Sequence, residues 1–401
     1  MRQTRFLDRT TPPHVMTLVA LSAMSALAMN VFLPSLPAMA AYFGTSYSVM
    51  QLSVSLYLGV TAVLQLVIGT VSDRYGRRPV LLVSLVVFLV ATLGTMLAPS
   101  AEIFLVFRMM QGAIVSAIAL SRAAIRDVLD EAQAASRIGY VTMGMALVPM
   151  VAPAIGGLLE GVFGWRGSFG LMLIAGSAVL ALAFLDMGET KQDRGGSFAA
   201  LLGAMPELLR SPRFWAYCAT ATLGSGAFFA YLGGAPFVGA RVFGMSPAEL
   251  GLFFGAPAIG YAAGNFLSGR FAGRIGINRM IIAGVAVAFA GMTLLLGALM
   301  VGGITKWSFF GCMIFIGLGN GMMLPSATSG MMSVRPHLAG SASGIGGAIM
   351  IGGGAALSAL AGVLLTEAGG AGPLIWLMWA STGLGLPPML YVMARAAGLE
   401  P

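Results

Sequence analysis

The ten residues Gly69 to Arg78, GTVSDRYGRR, set one carboxylate, Asp73, among three guanidinium groups, Arg74, Arg77 and Arg78, with a glycine on either side of the acid, Gly69 and Gly76. Arginine offers fixed, multidentate positive charge and glycine permits positive φ or a close backbone approach, so the pattern can hold an ionic latch in a tight turn. The stretch separates the apolar runs 56–68 and 80–98, so it must join two helices by a short, stiff connection. A basic turn would explain the arginines, but neither Asp73 nor the two glycines. Arg108 is the second group with chemistry to offer. It stands about six residues inside one end of its apolar run, roughly 9 Å along a helix axis. An arginine at mid-membrane costs about 2.5–3.5 kcal/mol, so Arg108 is expected to face the bundle interior or a wet cavity, where it can bind an anion or tune a protonation site. Arg122 lies near the other end of the same run and is expected to snorkel to the surface.

These residues need a membrane scaffold. The 401 residues are 58% hydrophobic and 9% charged, and the mean hydropathy is +0.90; soluble domains carry about 25% charged residues. The net charge of +8 does not point to nucleic acid, because the basic residues lie between apolar runs and form no patch. The anionic inner leaflet of a bilayer is their natural partner. Cys218 and Cys312 sit inside long apolar runs, which speaks against a disulfide framework or a metal site, and no cofactor is implied. Arg2, Arg5 and Arg9 precede an apolar run too long for a signal-peptide core, so the first helix is expected to stay.

A helix needs about 20 apolar residues to cross the hydrocarbon. Charges and breaker residues then divide the chain into spans at roughly 15–35, 48–70, 79–98, 103–126, 136–159, 167–186, 213–238, 248–269, 279–303, 307–333, 338–364 and 373–394. That makes an all-α polytopic membrane protein of twelve transmembrane helices. With the N-terminus inside, cytoplasmic segments hold 17 Lys and Arg, and only Arg166, Arg241 and Lys306 fall outside, so both termini are expected in the cytoplasm. The hydrophilic stretch 186–213, with Gly195 and Gly196, reads as a linker, giving two six-helix halves, 1–187 and 213–401, around residues 188–212. A shift of 200 residues places Gly69, Arg74 and Gly76 on Gly269, Arg274 and Gly276, although Gly273 replaces Asp73.

Gly-x-x-x-Asp-Arg-x-Gly-Arg-Arg resembles the loop between the second and third helices of the major facilitator superfamily of secondary transporters. AMNVFLPSLP at 28–37 and QLSVSLYLGVTAVLQLVIG after it resemble the first two helices of its drug:proton antiporters of the Bcr/CflA type. RMMQG at 108–112 resembles their arginine motif linked to proton coupling, and GMALVPMVAPAIGG, with Gly144, Pro149, Pro153, Gly156 and Gly157, resembles the antiporter motif of helix five. GWRGSF at 164–169, Gly188-Glu189-Thr190, YLGGAPFV at 231–238 and HLAGSASG at 337–344 carry the likeness through both halves. The resemblance implies two parallel six-helix halves rocking about a central cavity in a bacterial inner membrane, with helix five as a seal against proton leakage.

At Asn30 the chain departs from that pattern, which has an aspartate there. A carboxylate can take and release a proton and an amide cannot; Asn30 can hydrogen-bond substrate or tie helix one to a neighbour. All 14 acidic residues fall in loops or at helix ends. Proton coupling then rests on the resemblance and Arg108, with Glu102 and Asp127 as titrating candidates. Candidate cavity groups are Tyr57, Gln65, Gln111, Phe229, Tyr231, Asn265 and Asn320, each of which packing would also explain. The 28 methionines suit either a pliable cavity wall or a lipid-facing surface. At the cytoplasmic gate, Asp73 is expected to meet the N-terminus of helix eleven near Gly340 and Ser341, and Arg77 to pair with Asp127.

The reading is a monomeric transporter in the lipid bilayer that exports amphipathic drugs or related small molecules by alternating access, driven by protons. The alternative is a specific metabolite exporter or uniporter without proton coupling. Neither HExxH nor a Ser/His/Asp set is present, which argues against an enzyme; the doubled organisation argues against a channel.

Overall fold

The computed structural model describes residues 5–129, 131–191, 198–366 and 368–397, and these are helical throughout, with short connections. In chain order the helices are α1 (Val15–Tyr42), α2 (Tyr47–Tyr75), α3 (Arg77–Leu97), α4 (Ala101–Val128), α5 (Glu131–Phe163), α6 (Arg166–Asp186), α7 (Pro212–Val242), α8 (Pro247–Ile275), α9 (Ile277–Met300), α10 (Lys306–Ser333) and α11 (Ala339–Leu364). The last, α12, consists of Gly372–Leu384 and Leu386–Ala397, with a break at Gly385. Among the described residues, ten helices are long and apolar enough to cross a membrane; α5 carries a shorter apolar section, Leu147–Phe163. A separate short helix, Phe198–Leu209, precedes α7, while Arg194, Gly195, Gly196 and Glu367 lie outside the described residues.

Local sequence explains the starts. Ser46, Ser100, Ser211, Ser246 and Thr305 each accept a first-turn N–H, capping α2, α4, α7, α8 and α10. The first helix runs past the expected end at residue 35. A 3-10 turn at Leu33–Ser35 leads into Leu36–Tyr42, and Pro34 and Pro37 occupy first-turn positions, where a missing N–H costs nothing. Gly76 separates α2 from α3 at φ 98° and ψ 151°, and Gly276 separates α8 from α9 at φ 86° and ψ 149°. The two copies of the repeat thus bend their chains in the same way.

The bundle has two unlike ends: the motif end, which carries residues 69–78, and the far end, which carries Arg166. At the far end, backbones touch. A methyl group at Gly156 would fall on the carbonyl oxygen of Val31, one at Gly157 on that of Pro247, and one at Gly251 on that of Pro153. Alongside, Tyr47 Oη donates to Gly233 O at 2.6 Å, Ser48 Oγ to Gly362 O at 2.6 Å, and Gln51 Nε2 to Ser358 O at 2.6 Å. These bonds join α2 to α7 and α11. At the motif end, a methyl group on Gly69, Gly273, Gly340 or Gly344 would meet nothing within 4 Å. The buried apolar side chains follow the same division. One cluster runs through α1–α6 and across the far-end portions of α7–α12. A separate one, including Phe214, Tyr217, Ile281 and Met389, fills the later helices at the motif end.

Candidate functional site

Several polar sites interrupt this apolar framework among the described residues, and one is centred on Arg108, which is 1% exposed. Helix α4 is α-helical to Met110 and tightens into a 3-10 turn over Gln111–Ile114. Arg108 Nη1 donates to Gln111 Oε1 at 2.7 Å, Nη2 to Ala28 O at 2.9 Å and Nε to Ser53 O at 3.2 Å. Gln111 Nε2 passes the chain on to Thr92 Oγ1 at 2.7 Å. One guanidinium therefore ties α1, α2, α3 and α4 together. The rings of Phe32 and Tyr57 enclose it, each with its centroid 4.2 Å from the guanidinium carbon; desolvated cation–π contacts of this kind contribute about 2 kcal/mol. Among the described residues, no carboxylate pairs with Arg108. Glu102 is exposed in the first turn of α4 and takes no part.

At the motif end, Arg77 is 6% exposed and gathers acids from two helices. Nη2 lies 2.6 Å from Asp73 Oδ1 and Nε 3.0 Å from Asp127 Oδ2, while Nη1 bonds Ser72 Oγ. Lys191 Nζ approaches Asp73 Oδ1 at 3.7 Å. The Arg77 and Arg78 amides donate to Glu189 Oε1 at 2.9 Å and Oε2 at 3.3 Å, and Arg78 Nε donates to Met187 O at 2.8 Å. Arg74 lies instead over the Tyr75 ring. Asp73 therefore faces its own loop and the segment after α6. It makes no described contact with Gly340 or Ser341.

Glu189 is the residue that sequence reasoning noted as part of a likeness without giving it a role. Its signal was available: Gly76, before α3, has no side chain to cap the first-turn amides, so the acceptor has to come from elsewhere. Replacing Glu189 by alanine is expected to destabilise the protein by about 1–2 kcal/mol. The check is the midpoint of thermal unfolding in detergent, and an unchanged midpoint would show that the carboxylate does not hold α3.

The third site is a cavity of about 400 Å³ between α8 and α10 at the motif end, lined by Asn265, Ser268, Gly269, Pro325, Ser326 and Ser329 among others. Below it the same two helices are in backbone contact, at Gly317 on Pro257 and Gly260 on Ile314. Ser326 is 3% exposed and its hydroxyl has no hydrogen-bond partner.

The remaining sequence candidates disperse. Asn30 is buried and its Nδ2 donates to Ala26 O of its own helix at 2.8 Å. Gln65 lies beside Gly347 of α11, and Phe229 packs on Gly354 of the same helix. Tyr231 Oη donates to Phe254 O at 3.0 Å, with the two rings 4.6 Å apart. Asn320 is buried with Oδ1 unpartnered. In α5, Pro149 and Pro153 lie inside the helix and Gly156 and Gly157 form the seam with α1 and α8, whereas the surroundings of Gly144 lie outside the described residues. A further buried acid was not foreseen: Asp186 accepts from Leu7 N at 2.7 Å, His14 N at 2.9 Å and Thr17 Oγ1 at 2.6 Å, pinning the start of α1 to the end of α6.

Long apolar helices thus surround a core that is continuous at one end only, with a polar cavity at the other. The sequence profile of the Major Facilitator Superfamily matches residues 18–359. The chain is 31% identical to the uncharacterized MFS-type transporter YdgK of Bacillus subtilis, over 87% of this chain and 88% of that one. It is 30% identical to a chloramphenicol resistance protein of Pseudomonas aeruginosa, over 82% and 79%. Among solved structures, the nucleoside transporter NupG matches with a TM-score of 0.74 at 16% identity, covering 95% of this chain and 98% of that one. The chain belongs to the major facilitator superfamily. It is a small-molecule transporter and not an enzyme, and a multi-pass protein of the bacterial inner membrane.

Proposed function

We propose that this protein exports amphipathic drugs or related small molecules by alternating access, coupled to proton entry, and works as a monomer in the bilayer. Twelve spans form two six-helix units, 1–187 and 213–401, with 188–212 and both termini in the cytoplasm. The motif end is then the cytoplasmic end, because the excess of basic residues gathers there. The matching turns at Gly76 and Gly276 support the two-unit reading.

The observation that carries the proposal is the apolar core, continuous across the far end and divided at the motif end. A carrier open to the cytoplasm and sealed to the outside has that division. Rocking the units would open the α5–α8 seam and bring α2 and α11 together at the motif end. The Arg77, Asp73 and Asp127 cluster then keeps the inner end of the first unit rigid, and Asp73 is available to the α11 N-terminus when the cytoplasmic side shuts. The name of the Pseudomonas relative supports the drug class.

Asn30 favours a second reading, a metabolite exporter or uniporter without proton coupling, since its amide is bonded to Ala26 and cannot titrate. Proteoliposomes loaded with a pH dye separate the two. A drug pulse is expected to cause proton movement opposite to the drug; drug flux that ignores an imposed pH gradient removes the antiporter, and no drug flux removes export altogether.

A further inference from the structure

We propose that the transported compound carries an acidic group, and that Arg122 of α4 together with the amide and hydroxyl wall of the α8–α10 cavity recognises it. This rests on the export reading above and narrows it to a substrate class. The sign of charge along the passage leads to it. Among the described acids, Asp73, Asp127 and Glu189 are engaged with Arg77, Lys191 and the amides of α3, and Asp186 holds the start of α1. Glu249 pairs with Lys306 and Glu207 with Arg335, while Glu102 is exposed in the first turn of α4. Glu160 lies at the far end, beyond the Gly156–Gly157 seam. Asp8 accepts from Thr10 ahead of α1, and the side chain of Glu131 lies outside the described residues. Among the described side chains, no carboxylate stands halfway along to meet a cation, where Arg108 has no counter-ion.

Arg122 does not snorkel free as its position in the sequence suggested. It is half-buried, and its Nε is enclosed without a hydrogen-bond partner. Tyr261 of α8 lies within electrostatic reach of the guanidinium, and Arg126, one turn further on, adds positive charge. Tyr261 is one turn before Asn265, whose Nδ2 donates to Tyr261 O at 2.8 Å and whose side chain lines the cavity. Across the cavity stands the buried, unpartnered hydroxyl of Ser326. A guanidinium with an unused donor and a hydroxyl free to donate suit a carboxylate, phosphonate or sulfate, because charge-assisted hydrogen bonds are the stronger kind. The cavity, at about 400 Å³, has room for a drug-sized ligand. A lipophilic cation would instead add positive charge to a passage where, among the described residues, no carboxylate pairs with Arg108 or Arg122.

Three probes on one hydrophobic body test this: an arylalkyl carboxylic acid, its primary amide and the corresponding primary amine, each titrated against purified full-length protein at neutral pH. The acid is expected to bind at least tenfold more tightly than the amide, with the amine weakest. Arg122→Gln is expected to bring the acid-to-amide ratio close to one, and Arg122→Lys to retain most of it. If Arg122→Gln does not fold, Ser326→Ala is read in its place, with a severalfold weaker preference for the acid expected. Tightest binding by the amine, equal binding of acid and amide, or a ratio unmoved by the folded variant overturns the proposal. Binding of none of the three brings down the drug-export reading itself, and this inference with it.

Discussion

Valine at position 157 is expected to reduce transport about a hundredfold while leaving membrane insertion intact. The Cβ of any residue there would fall on the backbone oxygen of Pro247, an atom that no rotamer change can move aside. Overpacking typically costs 1–3 kcal/mol, and a backbone-to-backbone seam belongs at the upper end of that range. The penalty applies only when α5 and α8 touch at the far end, so it acts on the balance of states more than on stability. About 3 kcal/mol shifts a two-state balance by roughly 150-fold. Cysteines placed on the far-end turns of α5 and α8 report the shift: cross-linking should fall and reagent access should rise. Wild-type transport by the valine variant would mean that the seam does not open and close during the cycle.

The second large effect is expected at Arg108. Changing it to glutamine should bring transport to background although the protein still inserts and folds. A buried charge is an expensive brace, and replacing buried ionic groups by neutral ones often leaves stability unchanged or improved. Stability alone would therefore not require a guanidinium between Phe32 and Tyr57. Arg108→Lys keeps the charge, but an ammonium lacks the fork that reaches Ala28, Ser53 and Gln111 at once. It is expected to transport at an intermediate rate. Initial uptake rates into inverted membrane vesicles, normalised to protein amount, decide the matter; a glutamine variant as active as wild type would reduce Arg108 to a structural strut.

What could be read in advance follows from which forces are local. Charge spacing located long apolar helices, ten of them able to cross a membrane among the described residues, because burying a charge in hydrocarbon is costly wherever the chain goes; it set the ends of α2 and α8 too early. Asp73 and Arg74 are still helical in α2, and Arg270 and Arg274 in α8, since long side chains reach water from the last turns. The Arg77–Asp127 pair was also legible, from charge and topology together. The partners of Arg108 were not. Two are backbone carbonyls, Ala28 and Ser53, and sequence does not say which carbonyl a guanidinium will reach. Asp186 escaped because its partners lie 169 to 179 residues away, a separation no periodicity reports; for Glu189 the uncapped start of α3 announced that an acceptor was needed, but not which residue 112 positions on would supply it. Tyr231 and Phe229 were open to either reading because aromatic residues suit both ligands and packing, and the structure adds their neighbours, Phe254 and Gly354.

Asp186 also sets an order of events during synthesis. The start of α1 has no lasting hold until the carboxylate it binds has been made, some 169 to 179 residues later. At about 5–20 residues per second that is a wait of roughly 10–35 s. Glu189, which secures α3, follows three positions behind. The last turn of α6 is thus the clasp for the start of the first helix, and a nascent chain halted before residue 186 would leave that start loose even though Arg108 already holds Ala28 further along.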